Sequence, residues 1–171
     1  ILIRPTDAVI VAGLYAWILY GRPQALKRVS FWLAQALFAI LLWSPQLIYW
    51  RYANGAWMMD SYVDESFTNL LSPEIVKFLS APKHGWLPYT PLLLLFPFGL
   101  AVMWKNMRAV ALVIMAVIAM NVYLCASWHV WDFGCSYGAR PMAQYLPFAA
   151  IAFWALLRRS SERAIRARYA W

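Results

Sequence analysis

Charged residues are scarce in this chain, and acidic residues are the scarcest of them. Asp and Glu number only seven among 171 residues, and all charged residues together make up 13%. Soluble globular domains carry about 25% charged residues. The chain is 64% hydrophobic, with a mean hydropathy of +0.56. A chain of this length cannot hide so much apolar surface from water, so the composition argues against a water-soluble fold.

Cysteine and glycine are also sparse, which removes several kinds of site from consideration. Cys125 and Cys135 have no His or Cys partners at metal-ligand spacing. Two reduced thiols are the simpler interpretation, and a disulfide at the outer face of the membrane is the alternative. His84 and His129 stand outside any H-E-x-x-H pattern, and no glycine-rich phosphate loop occurs. We therefore expect neither a metal site nor another cofactor.

Five long stretches contain no Lys or Arg, and no acid after Asp7. They occupy residues 7–20, 30–50, 88–104, 109–127 and 141–157. About 20 apolar residues cross a hydrocarbon core about 30 Å thick, with a working range of roughly 17 to 25 residues. Four stretches qualify and the first is short. The pattern predicts an all-α membrane protein with about five transmembrane helices.

The charges outside these stretches divide between the two sides of the membrane. Ten of the fifteen Lys and Arg fall in linkers that alternate to share one side, and six of the seven acids fall on the other. The basic residues are Arg22, Lys27, Arg28, Lys105, Arg108, Arg158, Arg159, Arg163, Arg166 and Arg168. The positive-inside rule makes their side cytoplasmic, so 158–171 is a basic cytoplasmic tail and 51–87 and 128–140 are outer loops.

The net charge of +8 is best explained by a membrane surface. The basic residues gather at the ends of the spans, where anionic lipid headgroups attract them. Membrane lipid is therefore the expected partner, and nucleic acid is not.

The first outer loop carries a helix signal of its own. Ser72 followed by Pro73 is typical of an N-cap with proline at the first helical position, which would put Glu74 in the first turn. The apolar positions 75, 76, 78 and 79 then predict a short interfacial helix that ends near Pro82.

Charged residues of the two outer loops are the candidate ligand-binding groups. Lys83 and His84 stand at the mouth of the third span, where a cation and an imidazole suit an anionic group such as a phosphate. The alternative is that Lys83 snorkels to the interface. Asp132 and Arg140 either pair with each other or bind a ligand. Glu65 belongs to an acidic cluster that is either a solvated patch or part of a site.

Four groups of residues, taken in order, resemble the C-terminal half of bacterial multi-spanning glycosyltransferases of the GT-C type. This group includes the dolichyl-phosphate-mannose protein mannosyltransferases and the lipid A aminoarabinose transferases. The resemblance covers residues 1 to about 157. The four groups are Arg4-Pro5-Thr6; Ser44-Pro45-Gln46 with Tyr49-Trp50; Pro82-Lys83-His84-Gly85-Trp86 with Tyr89-Thr90-Pro91; and Trp131-Asp132-Phe133-Gly134 through Tyr137-Gly138-Ala139-Arg140.

The resemblance implies sugar transfer from a polyprenyl-phosphate donor at the periplasmic face of a bacterial inner membrane. On this basis Lys83 or Arg140 would offset the phosphate charge, and Glu65 or Asp132 would accept hydrogen bonds from sugar hydroxyls. His84 would line the same cavity. The catalytic carboxylate of the family lies in an earlier outer loop and has no counterpart here. We therefore expect a piece of a longer protein and assign no catalytic residue.

A structural or accessory subunit of a larger membrane complex is the second interpretation. Five aromatic-rich spans without ionisable residues in their interiors suit a packing role, and the same feature disfavours an ion-coupled transporter. A transferase needs upstream spans with an acid in an outer loop, whereas an accessory subunit would begin with a Met close before Ile1.

Overall fold

A computed structural model describes residues 8–58, 66–134 and 137–168, with side chains as far as residue 161. Within these ranges the helices are joined by loops and no strand occurs, which confirms the predicted all-α class. The α-helices are α1 Ala8–Gly21, α2 Val29–Asn54, α3 Ile75–Ser80, α4 Trp86–Tyr89, α5 Phe96–Asn106, α6 Arg108–Ala126 and α7 Leu146–Arg168. Three 3₁₀-helices cover Pro23–Lys27, Pro91–Leu95 and Arg140–Tyr145. The chain divides into two compact units, Ile1–Ser66 and Phe67–Trp171.

The first unit pairs α1 with α2 through the 3₁₀-helix Pro23–Lys27. Tyr15 of α1 stacks on Trp32 of α2 with ring centroids 5.9 Å apart. The Trp32 indole N–H also donates to the Leu26 carbonyl oxygen at 2.7 Å. Beyond this junction α2 is apolar on every side, and none of its 26 residues is buried.

Helix α2 continues through Pro45. Proline has no backbone N–H, so the carbonyl of Leu41 loses its regular donor from position 45. The Ser44 hydroxyl donates to that same Leu41 oxygen at 3.2 Å. The helix ends where Gly55 adopts a left-handed conformation (φ 72°) and donates its N–H to the Arg51 carbonyl oxygen.

The second unit is built on a bundle in which α5 packs against both α6 and α7. The buried residues of α6 recur at helical spacing, so they form one face. Ala149, Ala152 and Ala155 give α7 a buried face of small side chains. Gly99 of α5 packs directly against the backbone of Ala152 of α7.

Two helices of the described ranges, α2 and α6, are long and apolar enough to cross a membrane. They coincide with the predicted spans 30–50 and 109–127. Span 7–20 forms the shorter α1. Span 141–157 begins as a 3₁₀-helix and continues in α7, which extends to Arg168 and therefore includes part of the predicted basic tail.

Proline interrupts the predicted span 88–104. Thr90, the residue before Pro91, departs from the helical conformation (φ −138°, ψ 62°), as expected because the proline ring disfavours the helical conformation of the preceding residue. The stretch is therefore divided among α4, the 3₁₀-helix Pro91–Leu95 and α5. A hydropathy pattern does not register this break.

The short helix of the loop 51–87 is present as α3, but its predicted start at Ser72 is wrong. The N-cap is Glu74, and Pro73 precedes the helix. The reason lies in α6, because the Glu74 N–H donates to the Ala126 carbonyl oxygen at 3.0 Å. Phe78 of α3 is fully buried, so this helix packs into the protein.

Candidate functional site

The candidate site is a layer of loops and short helices at the C-terminal end of α6, formed by residues 67–90, 127–134 and 137–145. This loop layer caps α6. The N–H groups of Asn69 and Glu74 donate to the carbonyl oxygens of Ser127 (3.1 Å) and Ala126 (3.0 Å). Carbonyl groups at a helix end have no partner within the helix, so these bonds fix the loop layer on α6.

Side-chain contacts hold the loop layer together. The Tyr123 hydroxyl of α6 donates to the Leu70 carbonyl oxygen at 2.6 Å. Edge-to-face ring pairs join the segment 67–90 to the segment 128–137, a geometry that aromatic pairs prefer. These pairs are Phe67 with Trp128 (4.8 Å), Phe78 with Phe133 (6.4 Å) and Tyr89 with Tyr137 (4.8 Å).

Two non-glycine residues of the loop layer have left-handed backbone conformations, His84 (φ 68°) and Phe133 (φ 53°). Such residues are uncommon, although His is enriched among them, and strained residues cluster at functional sites. Gly138 (φ 58°) is also left-handed, and a β-carbon there would lie 2.8 Å from the Tyr89 β-carbon. At this point the backbone of Gly138 therefore packs directly against the side chain of Tyr89.

The structure describes four of the five predicted site residues, and all four lie in the loop layer. Lys83 and Arg140 are exposed, whereas His84 and Asp132 are half-buried. The Asp132 carboxylate accepts a hydrogen bond from the Gly134 N–H at 3.2 Å. Glu65 lies outside the described residues.

Asp132 and Arg140 do not form the ion pair that the sequence left open as an alternative. Among the described residues, the ion pair of the loop layer joins Lys77 to Glu74 at 2.9 Å. The fold thus brings together the loops that carry Lys83 and Arg140, and does not neutralise Arg140 with Asp132.

Sequence reasoning missed two buried polar groups. Asn121 of α6 is fully buried; its amide N–H donates to the Met142 sulfur at 3.0 Å, and its Oδ1 has no hydrogen-bond partner within the described ranges. The buried Nδ1 of His129 likewise has no partner there. Such groups are rare and call for an explanation. The sequence feature that could have indicated Asn121 is its position as the one Asn in the apolar stretch 109–127.

No group of three or more His, Cys, Asp or Glu that could hold a metal occurs within the described ranges. Cys125 is buried in α6, and Cys135 lies outside those ranges.

A cavity of about 510 Å³ opens at the other end of the bundle, where α5 ends and α6 begins. Lys105, Arg158 and Arg159 line it together with Met103, Asn106 and Trp154. The first unit has its own cavity of about 510 Å³ beside Arg51 and Trp57, at the end of α2.

The class that these observations define, for the residues that the structure describes, is an all-helical protein with two helices long and apolar enough to cross a membrane. Comparison with protein families, curated proteins and solved structures finds no match for this chain. Its site is therefore characterised by its own residues.

Proposed function

We propose that this chain is the C-terminal membrane segment of a glycosyltransferase that takes a sugar from a polyprenyl-phosphate donor at the periplasmic face. The observation that carries the proposal is the loop layer, in which the loop bearing Lys83 and His84 packs on the loop bearing Asp132 and Arg140 through Tyr89, Tyr137 and Gly138. Two loops distant in sequence thus present cations and a carboxylate at one end of α6.

The membrane location is supported by α2. Its exposed side chains include Leu33, Phe38, Ile40 and Leu42, each more than half accessible. Burying apolar surface is worth about 25 cal/mol per Å², so a helix apolar on all sides is unfavourable in water and favourable in hydrocarbon. In this proposal α1, the segment 91–106 and α7 also cross the membrane, giving the five spans of the sequence prediction.

The proposed orientation follows from charge. The positive-inside rule puts the end of α5 and the basic part of α7 in the cytoplasm of a bacterial cell. The loop layer then faces the periplasm, at the opposite end of α6. A polyprenyl chain can stay in the bilayer while its phosphate and sugar reach the loop layer.

The residues of the loop layer have the chemistry that this donor requires. Negative charge develops on the leaving phosphate during sugar transfer, and cationic donors such as Lys83 and Arg140 stabilise it. The Asp132 carboxylate accepts hydrogen bonds from sugar hydroxyls. Asn121 of α6, which bonds to Met142 of the loop layer, provides a buried acceptor in its Oδ1. No residue of the chain is assigned as the catalytic base.

The test is sugar transfer by the full-length protein reconstituted in vesicles with a polyprenyl-phosphate-linked sugar. Hydrogen bonds to charged groups are worth about 1.5–3 kcal/mol, so we expect Lys83→Ala, Arg140→Ala and Asp132→Ala each to lower kcat/KM about tenfold or more. His84→Ala and Glu65→Ala are tested as well, so that each of the five predicted site residues has one alanine variant. The matched control is Lys77→Ala in the same loop layer, because an exposed ion pair such as Lys77–Glu74 contributes little. Unchanged transfer in all five variants of an active enzyme would overturn the proposal.

A structural or accessory subunit is the second candidate, and α2 favours it. A long helix with no buried residue can pack against helices of another protein as well as against lipid. Purification in mild detergent distinguishes the two functions. A partner protein recovered in fixed stoichiometry, with no sugar transfer in the complex, would support the accessory subunit.

A further inference from the structure

The cavity at the start of α6 lies far from the loop layer. It is formed by the end of α5, by Met107 and by α7. Helix α6 has 19 residues, and a rise of 1.5 Å per residue separates its two ends by about 28 Å. That separation approaches the ~30 Å thickness of a hydrocarbon core. In a membrane-spanning bundle the cavity would therefore lie at the headgroup level opposite the loop layer.

The lining of this cavity carries charge of one sign. Lys105, Arg158 and Arg159 contribute three cations, and the lining residues that the structure describes, which end before Glu162, include no acid. Like charges gathered on one concave surface create a positive potential that attracts anions. The first turn of α6 adds to this potential, because it contains no acid and its N-cap Met107 offers no side-chain acceptor.

Tryptophan fixes two of the arginines at this end of the bundle. The Arg158 guanidinium lies over the Trp154 ring, 5.5 Å from its centroid. The Arg108 guanidinium lies over the Trp104 ring at 4.9 Å. Stacking on an aromatic face holds a guanidinium in a defined position. Tryptophan is also enriched at the membrane interface.

The same cavity has an apolar side. Met103, Trp154 and Ala155 line it beside the three cations, and Met103 and Ala155 are themselves buried. Contact with such an apolar surface does not stabilise a bound inorganic anion. A molecule with a phosphate group and an attached apolar chain matches both parts of the lining.

We propose that this cavity binds the phosphate headgroup of an anionic lipid of the cytoplasmic leaflet. The phosphate lies among Lys105, Arg158 and Arg159, and the start of an acyl chain contacts Trp154. Basic pockets between transmembrane helices bind anionic headgroups in this way. The site is separate from the donor site proposed for the loop layer, and depends only on the membrane location of the bundle.

The test titrates the delipidated full-length protein with phosphatidylglycerol, with phosphatidylcholine and with inorganic phosphate, and counts bound molecules by native mass spectrometry. The variant Lys105→Gln/Arg158→Gln/Arg159→Gln removes the three cations. The matched control, Arg22→Gln/Lys27→Gln/Arg28→Gln, removes three exposed cations of the first unit that the sequence predicts on the same side of the membrane. The three cations contact the phosphate together only in the cavity, so we expect the cavity variant to weaken phosphatidylglycerol binding on the order of a hundredfold. The control should change it less than about threefold.

A second variant tests whether the space of the cavity is needed, while all three cations remain in place. Asn106 lines the cavity and is exposed, so Asn106→Trp fills the space without removing a cation. It should weaken phosphatidylglycerol binding about tenfold or more while leaving the helical content unchanged.

Three results would overturn the proposal. An equal loss in the two triple variants would indicate diffuse attraction of surface charge. Equal binding of phosphatidylcholine would remove the selectivity for anionic lipid, and binding of inorganic phosphate as tight as that of the lipid would identify a soluble anion as the ligand. Flotation of the wild-type protein with vesicles is measured first, because its failure would contradict the membrane location itself.

Discussion

Gly99 of α5 lies so close to Ala152 of α7 that a β-carbon at position 99 would stand 2.4 Å from the Ala152 carbonyl oxygen. The obstacle is backbone, which cannot rotate out of the way as a side chain can. Small residues allow two helices to approach this closely, and the dispersion energy of the close contact then stabilises the pair. The bundle that supports the loop layer therefore depends on the missing side chain of Gly99.

Gly99→Ala is expected to destabilise the second unit. The added methyl group forces α5 and α7 apart, and overpacking of this kind costs about 1–3 kcal/mol. The free energy of unfolding in mixed micelles, followed by helical circular dichroism, measures the effect. Gly21→Ala is the control, because a β-carbon at Gly21 meets nothing within 4 Å. Equal stability of the two variants would contradict the close approach.

Gly138→Ala should be more destabilising than Gly55→Ala. Both glycines are left-handed, with φ of 58° and 72°, so both substitutions carry a similar backbone cost of about 1–2 kcal/mol. Only the methyl group at position 138 also meets Tyr89, at 2.8 Å. The difference between the two free energies of unfolding isolates the contact between the loops, and Tyr89→Gly, which removes the Tyr89 β-carbon, should reduce it. A Tyr89→Gly background that leaves the cost of Gly138→Ala unchanged would argue against that contact.

Ser44→Ala is expected to cost about 0.5–1.5 kcal/mol, because it removes the hydrogen bond to the Leu41 carbonyl oxygen beside Pro45. In a Pro45→Ala background the backbone N–H of residue 45 is restored, and the same substitution should be nearly neutral. The matched control is Ser160→Ala in α7. Ser160 donates to the Leu156 carbonyl oxygen at 3.0 Å, but no proline interrupts the helix there. A double-mutant cycle on the unfolding free energy measures the coupling, and a coupling of zero would refute this role of Ser44.

Asn121→Leu should leave stability unchanged or raise it, because replacing a buried polar group that is incompletely bonded with an apolar one of similar size is often neutral or favourable. If the Oδ1 of Asn121 accepts a hydrogen bond from the bound donor, the same variant should raise the KM for the donor about tenfold. Met142→Leu is the control; it removes the sulfur that accepts from Asn121 and conserves volume. Lower stability with unchanged KM would assign Asn121 a structural role alone.

The patterns of hydrophobicity predicted the helical class and the two longest apolar helices correctly. Residues 30–50 and 109–127 lie almost entirely in α2 and α6, because a long run of apolar residues without charge satisfies its backbone only as a helix. The stretch 88–104 does not form one continuous helix. Its prolines were visible, but hydropathy alone does not weigh the backbone restriction that Pro91 places on Thr90.

The start of α3 could not be predicted from local sequence. Ser72 and Pro73 form a good local N-cap signal, yet the Glu74 N–H donates to Ala126 at the end of α6. A hydrogen bond between residues 52 positions apart has no local signature. The same limit applies to the candidate site, where residue types pointed to Lys83 and Arg140 but could not show that Asp132 and Arg140 do not pair with each other.

By itself the sequence determined the helical class of this chain, because composition and hydrophobic patterning act along the whole length and need no knowledge of contacts. Only the tertiary structure decided which groups meet. It placed Gly138 against Tyr89, buried Asn121 beside Met142, and gathered Lys105, Arg158 and Arg159 around one cavity. Each of these relationships joins residues that are distant in sequence. The distance between them is fixed by packing between helices and loops, and sequence periodicity does not record that packing.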